Sequence, residues 1–457
     1  MTDWIPEIAK GGKPLYLDIA DALESDVRLG RLKAGARLPP QRRLAKRLSI
    51  DFTTVSRAYA EARARGLVDS HVGRGTFVSP PLGRADRVDP ERAAAEDATM
   101  NMPPEPTDPA LLAKMREGLD YVGANLVPLL RYQSPTGGEK DKIAASSWLS
   151  MRGMVPKLER IAVTPGAHAT MTAILSLATE PGDTILCEAI TYPGFRSIAK
   201  VMRRNILGLE MDEAGILPEA LEEAIRRHRP KMLYLNPTLQ NPTTITMPTS
   251  RRLAVAEILN EYRLPAIEDD AYGFIPPKAP APLAVSAPDL IWHIGGLAKC
   301  IGAGLRLAYT VAPSGKDAFA LTQALRAASG MASPISAALA THWIEDGTAD
   351  GIRRFIRAES AARQTIATER LDGFDFASDP YAFNIWLRLP ERADGRAHLM
   401  GRLAGRRLGV MPSDAFTVTG PPQEALRICL GGAITRDELV ADLGFLGNAL
   451  TEHDWFA

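Results

Sequence analysis

His293-Ile-Gly-Gly-Leu-Ala-Lys299-Cys-Ile-Gly-Ala-Gly-Leu-Arg306-Leu-Ala-Tyr309 is the stretch on which the reading of this chain turns. A single lysine stands among small and apolar residues, and an arginine follows seven positions later. A lone lysine is usually a surface group, so the neighbouring segments decide whether this one is chemical. Upstream lie Glu268-Asp269-Asp270-Ala-Tyr272, Asn236-Pro-Thr-Leu-Gln-Asn241-Pro242-Thr, Thr191-Tyr192-Pro-Gly and Gly166-Ala167-His168. Several follow a short β-rich run. Ile161–Thr164, Thr184–Cys187, Met232–Leu235, Ala266–Asp269, Leu290–Ile294 and Leu307–Val311 are the strand candidates. Helical patterns alternate with them, which predicts an α/β domain with a mostly parallel sheet. A glycine turn that opens a helix, here expected near Thr170, is a ready anion site. From about residue 345 a long helix and strands near Phe383–Leu389 and Leu426–Leu430 predict a smaller α+β lobe.

The chain has 457 residues, too many for one core, and its 46% apolar and 24% charged residues are ordinary for a globular protein. It contains no run of 18 apolar residues, so no membrane span is expected, and Met1-Thr-Asp-Trp-Ile-Pro does not read as a signal peptide. Three scattered cysteines, Cys187, Cys300 and Cys429, fit a reducing cytoplasm and argue against disulfides or a zinc site. The net charge of zero hides an asymmetry. Residues 1–78 carry 14 Lys/Arg against 9 Asp/Glu, so the head is basic and the body acidic. A basic head suits phosphates, although a solvated helix surface would look similar.

That head has its own pattern. Helical spacing over 15–29 ends at Gly30, and a second helix covers about 40–48. A third, 53–65, is capped or opened by Thr53 and ended by Gly66. Leu67–Val78 alternates like a hairpin around Gly73-Arg74-Gly75. Residues 79–98 are rich in Pro, Ala and charge and read as a linker.

Two resemblances follow. Residues 13–78, through Arg37-Leu-Pro-Pro-Gln-Arg-Arg-Leu-Ala, Thr53-Thr-Val-Ser-Arg-Ala-Tyr and Gly73-Arg-Gly-Thr-Phe-Val, resemble the GntR family of bacterial regulators. This implies a winged helix-turn-helix in which Arg42, Thr53, Thr54 and Arg57 meet DNA phosphates or bases and Gly73 and Arg74 form the wing. Phe52 departs from that family's usual polar residue. Residues from about 107 to 450 resemble fold-type I, class I aminotransferases, which implies pyridoxal 5′-phosphate (PLP) as cofactor. By that resemblance Lys299 bonds the PLP aldehyde and Asp269 holds the ring nitrogen. Asn241 and Tyr272 donate to the phenolic oxygen, and Tyr192 stacks on the ring. Gly166, Ala167, His168 and Arg306 hold the phosphate, joined by Tyr132 of the partner subunit. Arg427 takes a substrate or effector carboxylate. The catalytic set implied is Lys299, Asp269 and Tyr272, with no metal. Gly296, Ala298, Thr244 and Ala303 depart from the family's hydroxyls, glycine and proline.

Together the two halves are similar to the MocR subfamily of GntR-type regulators. The expected fold is multidomain: a winged helix-turn-helix over 1–78, a linker over 79–106, and a PLP-dependent aminotransferase-like fold over 107–457. Its large lobe covers about 130–340 and its small lobe about 345–457 with the 107–130 segment. The implied function is a cytoplasmic, homodimeric, DNA-binding transcriptional regulator that senses an amino compound or PLP itself. The alternative is a working aminotransferase with a tethered head.

Overall fold

The computed structural model describes residues 4–6, 14–28, 31–33, 35–65, 67–71, 75–79, 100–389 and 395–451. It divides the chain into two compact units, Met1–Ala95 and Glu96–Ala457. Gly30, Gly66, Gly73, Arg74 and residues 80–99 of the expected linker lie outside the described residues.

In the first unit, α1 (Leu15–Arg28), α2 (Gln41–Leu48) and α3 (Phe52–Ala64) precede the antiparallel strands β1 (Val68–His71) and β2 (Gly75–Val78). Apolar residues at helical spacing on each helix meet in one core with the hairpin: Ile19 and Leu23, Leu44, then Val55 and Tyr59, over Val68 and Val78. Each such side chain contributes roughly 1.5–3 kcal/mol by leaving water. Two polar ties fix the helices. The Tyr59 hydroxyl donates to the Pro39 carbonyl at 2.8 Å, and Arg65 bridges α3 to Asp21 and Glu24 of α1 at 2.6 and 3.0 Å. One expectation is corrected. Thr53 is not the cap, because Asp51 stands there and accepts from the Thr53 amide at 2.7 Å, so α3 starts at Phe52. An aspartate with extended backbone offers the free amides a full charge, and a hydroxyl two residues further in cannot compete.

The second unit is built on a seven-stranded sheet of order β3-β11-β10-β9-β8-β4-β5. The strands are β3 (Ile161–Thr164), β4 (Thr184–Glu188), β5 (Asn205–Leu209), β8 (Met232–Leu235), β9 (Ala266–Asp269), β10 (Ile291–Gly296) and β11 (Ala308–Val311). β11 alone runs antiparallel to its neighbours. Side chains alternate between two buried faces: Leu233 and Leu235 enter one core cluster, Met232 and Tyr234 the other. Burial on both faces is why these strands read as continuous apolar runs. A small hairpin, β6 (Met211–Asp212) with β7 (Gly215–Ile216), follows β5. The 23-residue helix Thr348–Arg370 then leads into a second, antiparallel sheet of order β12-β13-β15-β14. Its strands are β12 (Phe376–Ala377), β13 (Asn384–Arg388), β14 (Gly409–Pro412) and β15 (Ala425–Cys429). The sequence reading missed the β6–β7 hairpin and, in the two larger sheets, β5, β12 and β14. All three are edge strands, where Asn205, Gly409 and Pro412 are tolerated because one side needs no partner. Among the described residues no helix is long and apolar enough to cross a membrane, and no cluster could hold a metal ion.

Sheet direction gathers the chemical residues. β3, β4, β8, β9 and β10 all end at the same edge, and β11, running the other way, begins there. Gly166, Asn236, Asp269 and Lys299 follow or end the first set, and Arg306 precedes β11. Ligands in such sheets sit at this carboxyl edge.

Candidate functional site

At that edge lies a cavity of about 140 Å³. Of the residues expected from the sequence, Gly166, Ala167, His168, Tyr192, Asn241, Asp269, Tyr272, Lys299 and Arg306 all line it. Two expected residues do not. Arg427 lies buried behind Asn241, where its Nη1 donates to the Asn241 Oδ1 at 3.3 Å. Tyr132 is 96% exposed, among further exposed apolar side chains at Leu126, Val127 and Leu130.

Asp269 ends β9 with its carboxylate buried. Its Oδ2 accepts from the Tyr234 hydroxyl at 3.0 Å, while Oδ1 has no partner. Burial raises its pKa to about 6, an effect the Tyr234 bond opposes. The acids on either side turn to the opposite face and are neutralised. Arg252 reaches Glu268 at 3.3 Å, and Arg152 reaches Asp270 at 2.8 Å, with His293 Nε2 at 3.2 Å. Strand alternation therefore holds Asp269 alone toward the cavity.

Burial lowers the pKa of Lys299 to about 8, because desolvation disfavours the ammonium; Arg427 and Arg306 push the same way. Its Nζ donates to the Asn101 carbonyl. Asn241 sits in a turn with a cis Asn241–Pro242 bond. Its amide nitrogen donates to the Asn236 Oδ1 at 3.0 Å, and Asn236 in turn donates to the Asp269 carbonyl at 2.6 Å. With its Oδ1 taken by Arg427, the Asn241 side-chain NH₂ is left for the cavity.

The glycine turn Gly166, at φ +90, opens the helix Ala167–Ala178, three residues earlier than the expected Thr170. Its free amides and Arg306 make an anion cradle. His168 Nε2 and the Tyr192 hydroxyl are 2.6 Å apart and hydrogen-bonded. Burial, then Arg306 and Lys299, lowers the His168 pKa. Gly296, Ala298 and Ala303 also line the cavity, so no hydroxyl joins the cradle from those positions. Thr244 holds φ +64, the left-handed conformation that a glycine would adopt freely.

These residues fit PLP. An unpartnered buried carboxylate oxygen suits a ring N–H, a lysine with a lowered pKa suits an aldehyde, and the helix start with Arg306 suits a phosphate. Sequence reasoning missed Tyr234, Asn236, Asn384 and Asn101. Tyr234 left a local signal as a hydroxyl inside the apolar run Met232-Leu-Tyr-Leu, and Asn236 as the head of the Asn-Pro motif.

In the first unit Arg42 and Arg57 are exposed, and Thr54 is half-buried. The Thr53 hydroxyl is committed to Asp51 at 2.5 Å. Phe52 is 43% exposed and lies under the Arg42 guanidinium, 5.9 Å from the ring centre, so its departure from the family pattern builds a cation–π pair at the start of α3.

Comparison with known proteins places both halves. Residues 15–78 match the model for bacterial regulatory proteins of the gntR family, and residues 127–442 match that for aminotransferase class I and II. The chain is 30% identical to the uncharacterised HTH-type transcriptional regulator YdeF of Bacillus subtilis (strain 168), over 98% of this chain and 97% of that one. It is 24% identical to the probable rhizopine catabolism regulatory protein MocR of Rhizobium meliloti, over 66% of each. Among solved structures it resembles LysN, an alpha-aminoadipate aminotransferase from Thermus thermophilus complexed with N-(5′-phosphopyridoxyl)-L-leucine. The TM-score is 0.69 at 22% identity, covering 79% of this chain and 92% of that one.

Proposed function

The chain belongs to the MocR subfamily of GntR-type transcriptional regulators, and from that membership we propose that it is a DNA-binding regulator whose aminotransferase-like domain senses a small amino compound through PLP. The observation that carries this reading is the unpartnered Asp269 oxygen facing the same cavity as Lys299. A buried, uncompensated carboxylate is costly and persists where a ligand completes it.

Bound PLP supplies an aldehyde that bonds amines and a ring that accepts electrons. The chain's residues divide the remaining work. Lys299 presents its amine, and Asp269 holds the ring nitrogen's proton. Asn241 and Tyr272 donate to the phenolic oxygen, and Tyr192 covers the ring. The start of helix 167–178 with Arg306 holds the phosphate, in a cradle weakened by the missing hydroxyls. Arg427 takes the carboxylate of an amino-acid effector. The apolar patch around Tyr132 meets a second copy of the chain, so that Tyr132 of the partner subunit completes the phosphate site. Such symmetric pairing suits a homodimeric regulator working on DNA in the cytoplasm. Effector binding acts only through its different affinity for two arrangements of the protein. In the first unit Arg42, Thr54 and Arg57 contact DNA.

The test is to follow the absorption of the PLP-loaded protein while amino acids and amines are added without a keto acid. A stable shift that also changes operator affinity supports the reading, and no shift with any amine refutes the amine sensor. The low Lys299 pKa also favours a second reading, a working transaminase, because a neutral amine can move protons at substrate carbon. Turnover with an amino donor and keto acid separates the two.

A further inference from the structure

Residues Met100–Pro104 cross the cavity as a strap between the two lobes of the second unit. Met100 and Met102 line it, Pro104 pairs with Gly432, and the Gly432 amide donates to the Pro103 carbonyl at 3.1 Å. Asn101, at the centre, is 4% exposed and grips both lobes. Its side-chain NH₂ donates to the Tyr272 hydroxyl and to the Asn384 Oδ1, each at 3.0 Å. The Cys429 thiol donates to its Oδ1 at 3.5 Å, and its carbonyl accepts from Lys299.

The direction of this network is forced. The Asn384 side chain lies 2.7 Å from the Pro242 carbonyl, which can only accept, so Asn384 must turn its NH₂ there. That leaves the Asn384 oxygen facing Asn101, which must answer with its own NH₂. The second N–H of the same group therefore meets the Tyr272 oxygen. The Tyr272 proton is excluded from that side and has the cavity as its outlet. A backbone carbonyl on the Asn241–Pro242 turn thus sets the polarity of a phenol across the site.

We infer that Asn101 is a positioning residue of the cofactor site: its side chain aims the Tyr272 hydroxyl proton into the cavity while its carbonyl holds the Lys299 amine. Asn384 and Cys429 belong to the small lobe and Tyr272 and Lys299 to the large one, so Asn101 does both only while the strap is gripped from both sides. This inference rests on the cofactor reading above.

The test uses the full chain loaded with PLP and reads the pH midpoint of the bound cofactor's absorption, alongside PLP affinity. A Tyr272 donor stabilises the deprotonated phenolic oxygen, so Tyr272→Phe raises the midpoint. Asn101→Ala is expected to raise it by about 0.5–1 pH unit and to weaken PLP binding roughly five- to tenfold, one hydrogen bond's worth. In the Tyr272→Phe background Asn101→Ala should add nothing to the midpoint. Asn101→Asp keeps the shape but can only accept, so it draws the Tyr272 proton out of the cavity and also raises the midpoint; it carries the comparison if the alanine variant does not fold. An Asn101→Ala midpoint equal to wild type, or a shift that adds in full to that of Tyr272→Phe, overturns the inference. Wild type that develops no absorption with PLP sinks the cofactor reading itself, and this inference with it.

Discussion

Replacing Gly431, which does not itself line the cavity, by alanine should loosen the strap. A Cβ at this position would lie 1.7 Å from the Met102 carbonyl oxygen and 2.8 Å from its carbon. Both are backbone atoms, so no side-chain rotation relieves the clash, and the strap must move by about 1.7 Å to reach an ordinary contact. That displacement is large compared with hydrogen-bond tolerance. It strains the bonds from Asn101 to Tyr272 and Asn384, both 3.0 Å, and the Gly432 amide's bond to Pro103. Overpacking costs about 1–3 kcal/mol and each of the three weakened hydrogen bonds about 1 kcal/mol, so a total near 4–6 kcal/mol is expected. Differential scanning fluorimetry should show a fall of roughly 5–10 °C. PLP titration should show at least about tenfold weaker binding, because Lys299 and Tyr272 lose their shared anchor. Gly444→Ala is the control: the position lies in helix Arg436–Thr451 with open space around it, and alanine there should be neutral or stabilising by about 0.5–1 kcal/mol. A Gly431→Ala protein that melts and binds PLP like wild type would refute the assigned role of the strap.

Other outcomes follow from the same site. The neutral amine of Lys299 is the form that attacks an aldehyde, so the rate of PLP capture in stopped-flow absorption should rise about tenfold per pH unit and level off near 8, as the pKa of about 8 dictates. A plateau reached only above pH 10 would mean an ordinary lysine. Asp269→Asn should weaken PLP binding by tenfold or more yet stabilise the unloaded protein. With a folded pKa raised to about 6 from 3.8, the aspartate's stabilising protonation is complete below pH 4 and lost as pH rises through 6. The variant's advantage in thermal melts should therefore be absent below pH 4 and approach roughly 3 kcal/mol above pH 6. Equal melting of both proteins at pH 8 would contradict the burial argument. In the first unit, Arg57→Ala should weaken operator binding and reduce the slope of log affinity against log salt by about 1. An unchanged slope in a salt-series gel shift would remove Arg57 from the phosphate contacts.

Much of the α/β core and of the cavity was legible because unusual residues stood at strand ends. Glu268-Asp-Asp, Asn236-Pro-Thr-Leu-Gln-Asn-Pro and the lysine among small residues each break an apolar run where a strand must stop. The partners that orient them were not legible. Asn101 and Asn384 are 283 positions apart and meet only because the strap crosses between lobes. Asn101 carries no local pattern, since an isolated asparagine is common in loops, and Asn384, although it interrupts the apolar run around β13, gives no hint of its distant partner. The edge strands β5 and β14 were hidden by composition, because an edge tolerates Gly, Pro and Asn that a central strand rejects, and β12 by its length of two residues. Thr53 was read as capping or opening α3, whereas Asp51, two positions earlier, is the cap.

The three consecutive acids on β9 have a historical consequence. Glu268 and Asp270 are embedded in guanidinium contacts that the fold needs, whatever the protein does. Asp269 contributes a buried oxygen with no partner, and the folded chain without cofactor would be better off losing it. A lineage that kept the architecture but abandoned the chemistry would shed the middle acid first, since a single base change toward asparagine improves stability at neutral pH. The acid at position 269 therefore finds its missing partner only in a group bound at the cavity, in a chain whose other unit is organised to read DNA.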